Sequence, residues 1–311
     1  MKTIAAIDVG SNSVLLSISR VKGNTPGKPI VNLEDTPRLA SGLKETGRIG
    51  EQSTGRLIRA LKRFKRSCDE HGVEEISCCG TSALREASNS IDVISEVEVK
   101  TGISIEVISG RREAALTYLG AVTGMKNLRQ SRVLIDAGGG SSEVVIARGT
   151  KIHSAHSYKI GSVVLMERFG MDRKKSAREL ESVLECIREQ VVRLRIGPVD
   201  RPASLVCSGG TPAAIQGYRI GMKQHDSDSI HGASMKLSEY KQLIFELGQM
   251  SLSERRLALA FEPKRAEVIT AGGLLSYAIA EQTGLASVRV SDRSLRFGLL
   301  YELAGRKVEF A

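Results

Sequence analysis

The chain has 311 residues, 41% hydrophobic and 26% charged, which is ordinary globular composition and enough for about two domains of roughly 150 residues each. No apolar run approaches the roughly 20 residues of a membrane span, an aspartate arrives too early in MKTIAAIDVG for a secretory leader, and five cysteines without a CxxC argue against disulfides and thiolate zinc, so a cytoplasmic protein with no membrane partner is expected. A net charge of +10 and a pI near 9.5 call for a polyanionic partner, yet 4% aromatics and no Trp leave few stacking platforms for nucleic acid, and a phosphate polymer fits better.

Residues 3–9 (TIAAIDV) read as a strand ending in an aspartate, 10–13 (GSNS) as a tight polar loop, and 14–21 as a returning strand. Residues 23–38, with three prolines, read as loop. Arg56, Arg59, Lys62, Arg63, Lys65 and Arg66 surround apolar Leu57, Ile58, Leu61 and Phe64, the pattern of an amphipathic helix with a basic outer face. After a strand at 75–79, the segment GTSALREASN turns into a helix with Thr81 or Ser82 as N-cap and Arg85 one turn inside. A helix at 92–101 and a strand at 103–108 follow, and SGRREAAL opens a helix with Glu113 in its first turn. A polar connector, 125–131, is the expected hinge.

The second half centres on residues 133–147, VLIDAGGGSSEVVIA. Two β-branched runs around a glycine cluster predict two strands and a tight loop. Gly138, Gly139 and Gly140 permit backbone conformations closed to other residues, so several N–H groups can face one anion. Ser141 and Ser142 add hydroxyls. Asp136 and Glu143 bring carboxylates that a lone phosphate would repel, so a cation or an activated water is expected to share the site. IDVGSNS (7–13) and IDAGGGS (135–141) keep Ile, Asp, Gly and the final Ser in register at an offset of 128, which predicts the same device in two similar domains.

Helical patterns follow at 176–194, 237–250, 253–261 and 266–283, with strands at 204–207 and 288–290 and a last helix capped by Ser291. Gly210 and Thr211 precede Pro212, which predicts a helix start with Thr211 as N-cap. His225 and His231 in a polar loop, and His153 and His156, are weak candidates for metal ligands.

The strand–Asp–loop–strand hairpins and the GGT helix start resemble the actin-like phosphotransferase superfamily. More specifically, AAIDVGSNS (5–13), TSALREASN (81–89), IEVISGRREAAL (105–116), YLGAV (118–122), IDAGGGSSE (135–143), SGGT (208–211), IHG (230–232), PKRAEVITAGG (263–273) and VSD with LLYEL (290–303) resemble, in order, the exopolyphosphatase/guanosine pentaphosphate phosphohydrolase family in its short two-domain form. The resemblance implies an α/β fold of two actin-like (ribonuclease H-like) domains, each a mixed sheet flanked by helices, with the active-site cleft between them. The domains are expected at 1–124 and 125–311, with a C-terminal helix near 300–311 as a candidate to pack back on the first.

By motif position the resemblance implies Glu113 as general base and Glu143 as the second catalytic glutamate. Asp8, Asp136 and Glu143 would be associated with Mg²⁺ or Mn²⁺. Ser11, Asn12, Ser13, Arg85, Gly138, Gly139, Gly140, Ser141, Gly210 and Thr211 would bind phosphate. The implied reaction is metal-assisted in-line attack of water on a terminal phosphoanhydride of polyphosphate or guanosine pentaphosphate, by a homodimer. A phosphoryl group in transfer needs its charge neutralised and the attacking oxygen aligned, which suits these residue types. Leu15, Arg111, Arg112, Ser294 and Phe297 depart from residues common in the family and bear on substrate preference. An ATP-dependent small-molecule kinase and a non-catalytic polyphosphate or alarmone sensor are the competing readings.

Overall fold

A computed structural model of the chain describes residues 1–194, 196, 199–201 and 203–311. The chain divides into two compact units, 1–120 with 295–308 and 121–294 with 309–311.

In unit one, β1 (Thr3–Val9), β2 (Val14–Lys22), β3 (Thr25–Pro26) and β4 (Val31–Asp35) precede α1 (Leu43–Thr46) and α2 (Glu51–Glu70), followed by β5 (Glu75–Gly80), α3 (Ser82–Glu86), α4 (Ser90–Thr101), β6 (Glu106–Val107) and α5 (Gly110–Val122), whose last two residues belong to unit two. The sheet runs β3-β2-β1-β5-β6, with β4 also on β2; β1 is antiparallel to β2 and parallel to β5. Alternation along β1 feeds both faces of the sheet. Ala5, Ile7 and Val9 pack with Leu57, Leu61 and Phe64 of α2, while Ile4 and Ala6 pack with Leu116 of α5 and with Leu299 and Leu300 from the late helix 295–303. The basic side chains of α2 lie on the face away from its buried stripe, as their spacing predicts.

Unit two contains β7 (Ser131–Ala137), β8 (Ser142–Arg148), β9 (Lys151–Tyr158), α6 (Ser162–Phe169), α7 (Ala177–Val192), β10 (Ala203–Ser208), α8 (Gly210–Arg219), α9 (Ser227–Ile230), β11 (Ser234–Lys236), α10 (Leu237–Gly248), α11 (Leu252–Ala258), a 3₁₀ turn at Pro263–Glu267, α12 (Ile269–Gln282) and β12 (Ser287–Ser291). The late helix is α13 (Leu295–Leu303), and β13 (Glu309–Phe310) joins the sheet of unit two, ordered β11-β12-β10-β7-β8-β9-β13. Both units repeat one plan: three antiparallel strands, then a parallel neighbour on the first. It places Asp8 beside Cys79 and Asp136 beside Ser208.

Several local expectations are corrected. The proline-rich stretch 23–38 holds β3 and β4; β4 pairs only with β2, an edge position that tolerates nearby prolines. The strand expected over 103–108 shortens to β6. β9, absent from the sequence pattern, is polar because most of it is partly exposed. Thr81 stands at the N-cap position of α3, one of the two positions expected, but its hydroxyl goes to the Val9 carbonyl (3.4 Å) and not to the helix. α8 starts one residue before Thr211, with Gly209 at the cap position. Ser291 ends β12 and binds the Arg293 N–H at 3.1 Å, so it lies before α13 and does not cap it.

Candidate active site

In unit one the site residues come from β1, α3 and α5. The loop after β1 closes with the Gly10 N–H on the Ser13 carbonyl (3.0 Å). The carbonyls of Ser11 and Asn12 accept from Ala40 N–H (2.9 Å) and Arg38 N–H (3.0 Å). In a trans peptide the C=O and the following N–H point in opposite directions, so the N–H groups of Asn12 and Ser13 are turned away from that anchoring segment. Asp8 is the penultimate residue of β1, opposite Leu15 of β2. Ser11 is buried, and the Asn12 amide contacts the Ser13 hydroxyl at 3.4 Å.

Glu113 is the most informative side chain of this unit. Ser109 accepts from the Arg112 N–H at 3.2 Å, as an N-cap does, and so starts α5 with Glu113 in its first turn. The Glu113 carboxylate is buried and receives Arg85 Nη1 at 2.5 Å; the same nitrogen donates to the Ile108 carbonyl at 3.2 Å. Burial pushes the Glu113 carboxyl above its ordinary range, and Arg85, which favours the charged form, offsets only part of that.

In unit two the glycine loop is anchored in the same manner. The Gly138 carbonyl accepts from Ser162 N–H (2.8 Å) and the Ser162 hydroxyl (3.1 Å), and the Gly139 carbonyl from Val163 N–H (3.0 Å). The N–H groups of Gly139 and Gly140 therefore face away from α6. None of Gly138, Gly139 and Gly140 takes a positive φ, which corrects the expectation of special backbone conformations. Close approach requires glycine at Gly138 and at the neighbouring Gly161. A Cβ on Gly138 would stand 2.9 Å from the Ser141 carbonyl oxygen, and one on Gly161 would stand 2.2 Å from the Gly139 oxygen.

Glu143 is buried and opposite Asp136 in the β7–β8 ladder. Its Oε1 accepts from the Ser141 hydroxyl at 2.9 Å and the Ser157 hydroxyl at 2.6 Å. Asp136 Oδ2 accepts from the Ser208 hydroxyl at 2.8 Å. A Cβ on Gly209 would stand 3.0 Å from Asp136 Oδ1, and one on Gly210 would collide with the Arg265 guanidinium at 2.3 Å. Thr211 is buried, its hydroxyl against Gly272 of α12. Ser157 and Gly161 escaped the sequence reading, while Ser208 and Arg265 were read only as parts of SGGT (208–211) and PKRAEVITAGG (263–273), with no role assigned. Ser157 stands opposite Glu143 in the β8–β9 ladder.

The remaining candidates lie elsewhere. His225 and His231 both face Asp292, at 3.7 Å each. Burial, then Arg293, lowers the His231 pKa and so favours the neutral ring, with Nε2 at 3.1 Å from the Thr123 carbonyl. Burial pushes the Cys79 thiol up to about 12, and Cys207, fully buried beside Asp136, is raised as well; neither is a thiolate nucleophile at neutral pH. Arg112 pairs with Glu302 (3.2 Å) and Glu106 (3.5 Å), and Phe297 is buried beneath the sheet of unit one.

A matched pair of anchored hairpin loops, each following an aspartate-ended strand, places the molecule in the actin-like class of phosphate-handling proteins. The chain belongs to the Ppx/GppA phosphatase family, whose pattern matches residues 17–307, and it is a hydrolase of acid-anhydride bonds. It is 27% identical to Exopolyphosphatase 2 of Mycobacterium tuberculosis, over 97% of this chain and 98% of that protein. It is 29% identical to the guanosine-5'-triphosphate,3'-diphosphate pyrophosphatase of Vibrio vulnificus, over 96% of this chain but 59% of that longer protein. The crystal structure of the Aquifex aeolicus member of the family superimposes with a TM-score of 0.81 at 29% identity, covering 97% of each chain.

The family generally depends on a divalent metal. Asp8 in unit one, and Asp136 and Glu143 in unit two, each offer hard carboxylate oxygens, donors of the kind that Mg²⁺ or Mn²⁺ takes and unlike those of a thiolate zinc site. Among the described residues no group of three or more His, Cys, Asp or Glu side chains could hold a metal by itself.

Proposed function

We propose that the protein is an exopolyphosphatase, releasing terminal orthophosphate from inorganic polyphosphate, and that guanosine pentaphosphate is open to the same chemistry. The observation that carries this is the buried Glu113 held by Arg85 at 2.5 Å. A desolvated carboxylate with a raised pKa is a stronger base than one in water. In this reading Glu113 takes a proton from a water whose oxygen attacks the terminal phosphorus in line. The P–O bond to the bridging oxygen breaks, and the electron pair leaves with the shortened chain. Arg85, the N–H groups of Asn12, Ser13, Gly139 and Gly140, and the hydroxyls of Ser11, Ser13 and Thr211 neutralise and orient the phosphate oxygens, with Gly138 and Gly210 shaping the turns; the Ser141 hydroxyl gives its proton to Glu143 instead. Ser141 and Ser157 hold Glu143 so that it orients the water. Asp8, Asp136 and Glu143 would hold Mg²⁺ or Mn²⁺, which would supply charge neutralisation. The base belongs to the first compact unit, 1–120 with 295–308, and the glycine loop to the second, 121–294 with 309–311.

Positive charge with few aromatics favours polyphosphate over a guanosine-bearing substrate. The test is phosphate release from each substrate with Mg²⁺, with Mn²⁺ and after chelation. Release that stops on chelation and returns with either ion supports the proposal; no release from either substrate with metal present rejects it, and tight binding without turnover would identify a sensor. An ATP-dependent phosphorylated product would identify a kinase. The same proposal makes the protein a cytoplasmic homodimer; a monomer in sedimentation velocity would reject the dimer.

A further inference from the structure

At the end of the unit-two sheet remote from Asp136, the starts of β7, β10 and β12 open onto a cavity of about 670 Å³. Ser204 lies four residues before Ser208 on β10, so roughly 13 Å of strand separates this opening from the Asp136 end. Its polar wall is Asn127, Arg129, Ser204, Ser234, Ser287 and Arg289, and no acidic residue lines it among the described residues. Another cavity, between α2 and α4, is lined by both Arg48, Arg59 and Lys62 and Glu51, Asp92 and Glu96, and selects no ligand charge.

The donors of the first cavity are held for different ends. Arg289 is anchored: Nη1 donates to the Gly232 carbonyl at 3.3 Å and Nη2 to the Asn127 carbonyl at 3.5 Å. Asn127 adopts a positive φ of 57°, which turns the connector so that the Arg129 N–H reaches the Ser204 hydroxyl oxygen at 2.9 Å. That bond uses Ser204 as acceptor and leaves its O–H proton to donate. The Arg129 guanidinium makes no hydrogen bond or ion pair with any described residue, and the same holds for the hydroxyls of Ser234 and Ser287. Two guanidinium groups and three hydroxyls around one opening, without a carboxylate, are donors awaiting an acceptor-only ligand.

We propose that this cavity is a second anion site that takes phosphate oxygens, separate from the residues assigned to hydrolysis. The volume is within the usual range of about 300–1,000 Å³ for small-molecule sites. It equals about 20 waters at roughly 30 Å³ each, room for several linked phosphates. The ligand is a compact condensed phosphate or free orthophosphate, which share the chemistry recognised here.

The experiment is calorimetric titration of the full chain with cyclic trimetaphosphate, which has no terminal phosphate for an end-directed hydrolase to remove, and separately with orthophosphate. It is run on the wild type, Arg129→Gln and Ser287→Asp. Both substituted side chains are exposed and carry no internal hydrogen bond, so melting temperature and phosphate release at low product concentration serve as controls and stay unchanged. The wild type is expected to bind one more equivalent than either variant, or to bind at least tenfold more tightly. Loss of the trimetaphosphate equivalent identifies a condensed-phosphate site, and loss of the orthophosphate equivalent alone identifies a site for the free ion. Equal stoichiometry and affinity in all three proteins, with both probes, overturns the proposal.

Discussion

Arg85 Nη1 lies 2.5 Å from Glu113 Oε2, although 28 residues separate them in sequence. Two opposing effects meet at this carboxylate. Burial disfavours its charge, the guanidinium favours it, and burial prevails. The proton is bound more tightly in the folded chain than in the unfolded one.

The sign of the pH dependence follows. Protonation of Glu113 stabilises the fold as pH falls through its raised value, but it removes the base. Phosphate release should therefore fail at a pH above the ordinary glutamate value of about 4.3, while stability has not yet declined for this reason. A kcat–pH profile measured beside thermal melts checks it; an acid limb at or below that ordinary value would refute the assignment.

Glu113→Gln keeps the volume and the burial but cannot take a proton. The turnover number should drop by about 10²–10⁴-fold with KM little changed, as read by released phosphate under saturating polyphosphate. A fully active variant would remove Glu113 from the chemistry.

Arg85→Ala leaves Glu113 buried without its cation. Its pKa then rises further, so the acid limb should shift upward, and Arg85→Lys should restore part of the shift because it returns the charge but not the fork geometry. An unmoved limb in the alanine variant would mean that the pair is structural only.

Gly161→Ala adds a methyl 2.2 Å from the Gly139 carbonyl oxygen. Both partners are backbone, so no rotamer relieves the contact, and the loop must shift at a cost of about 1–3 kcal/mol. The expected result is a raised KM for polyphosphate, with a lower melting temperature. Gly298→Ala is the matched case in unit one: its Cβ would lie 1.9 Å from the Leu116 carbonyl oxygen on α5. Calorimetry should show a large loss of stability, and an unchanged melting curve would contradict the packing of α13 on α5.

Ser157→Ala removes the 2.6 Å bond to Glu143 and leaves the Ser141 bond in place. A loss of about 1–2 kcal/mol should appear in kcat more than in KM if Glu143 orients the water. Equal loss in both would assign it to ground-state binding.

The two hairpins were legible because their determinants are local. Alternating apolar residues, an aspartate at the strand end and a short polar or glycine loop specify a hairpin within about 15 residues, and the repeat at an offset of 128 marked both copies. Glu113 and Glu143 were legible through the motifs around them. Ser157 was not, because its place opposite Glu143 depends on the β8–β9 register, which shifts at Ile146/Ala147. Nor was the pairing of Arg112 with Glu302, 190 residues away.

The sequence by itself determined where the chain turns, which strand ends carry carboxylates and which helix presents positive charge, since these follow from spacing and side-chain chemistry along a short stretch. Only the tertiary structure decided what each carboxylate meets. Arg85 reaches Glu113 because β5 and β6 align α3 with α5, and the glycine loop keeps its N–H groups turned outward because α6 returns to take its carbonyls. A residue's pKa and a peptide's orientation depend on neighbours brought close by packing, and no local pattern encodes them.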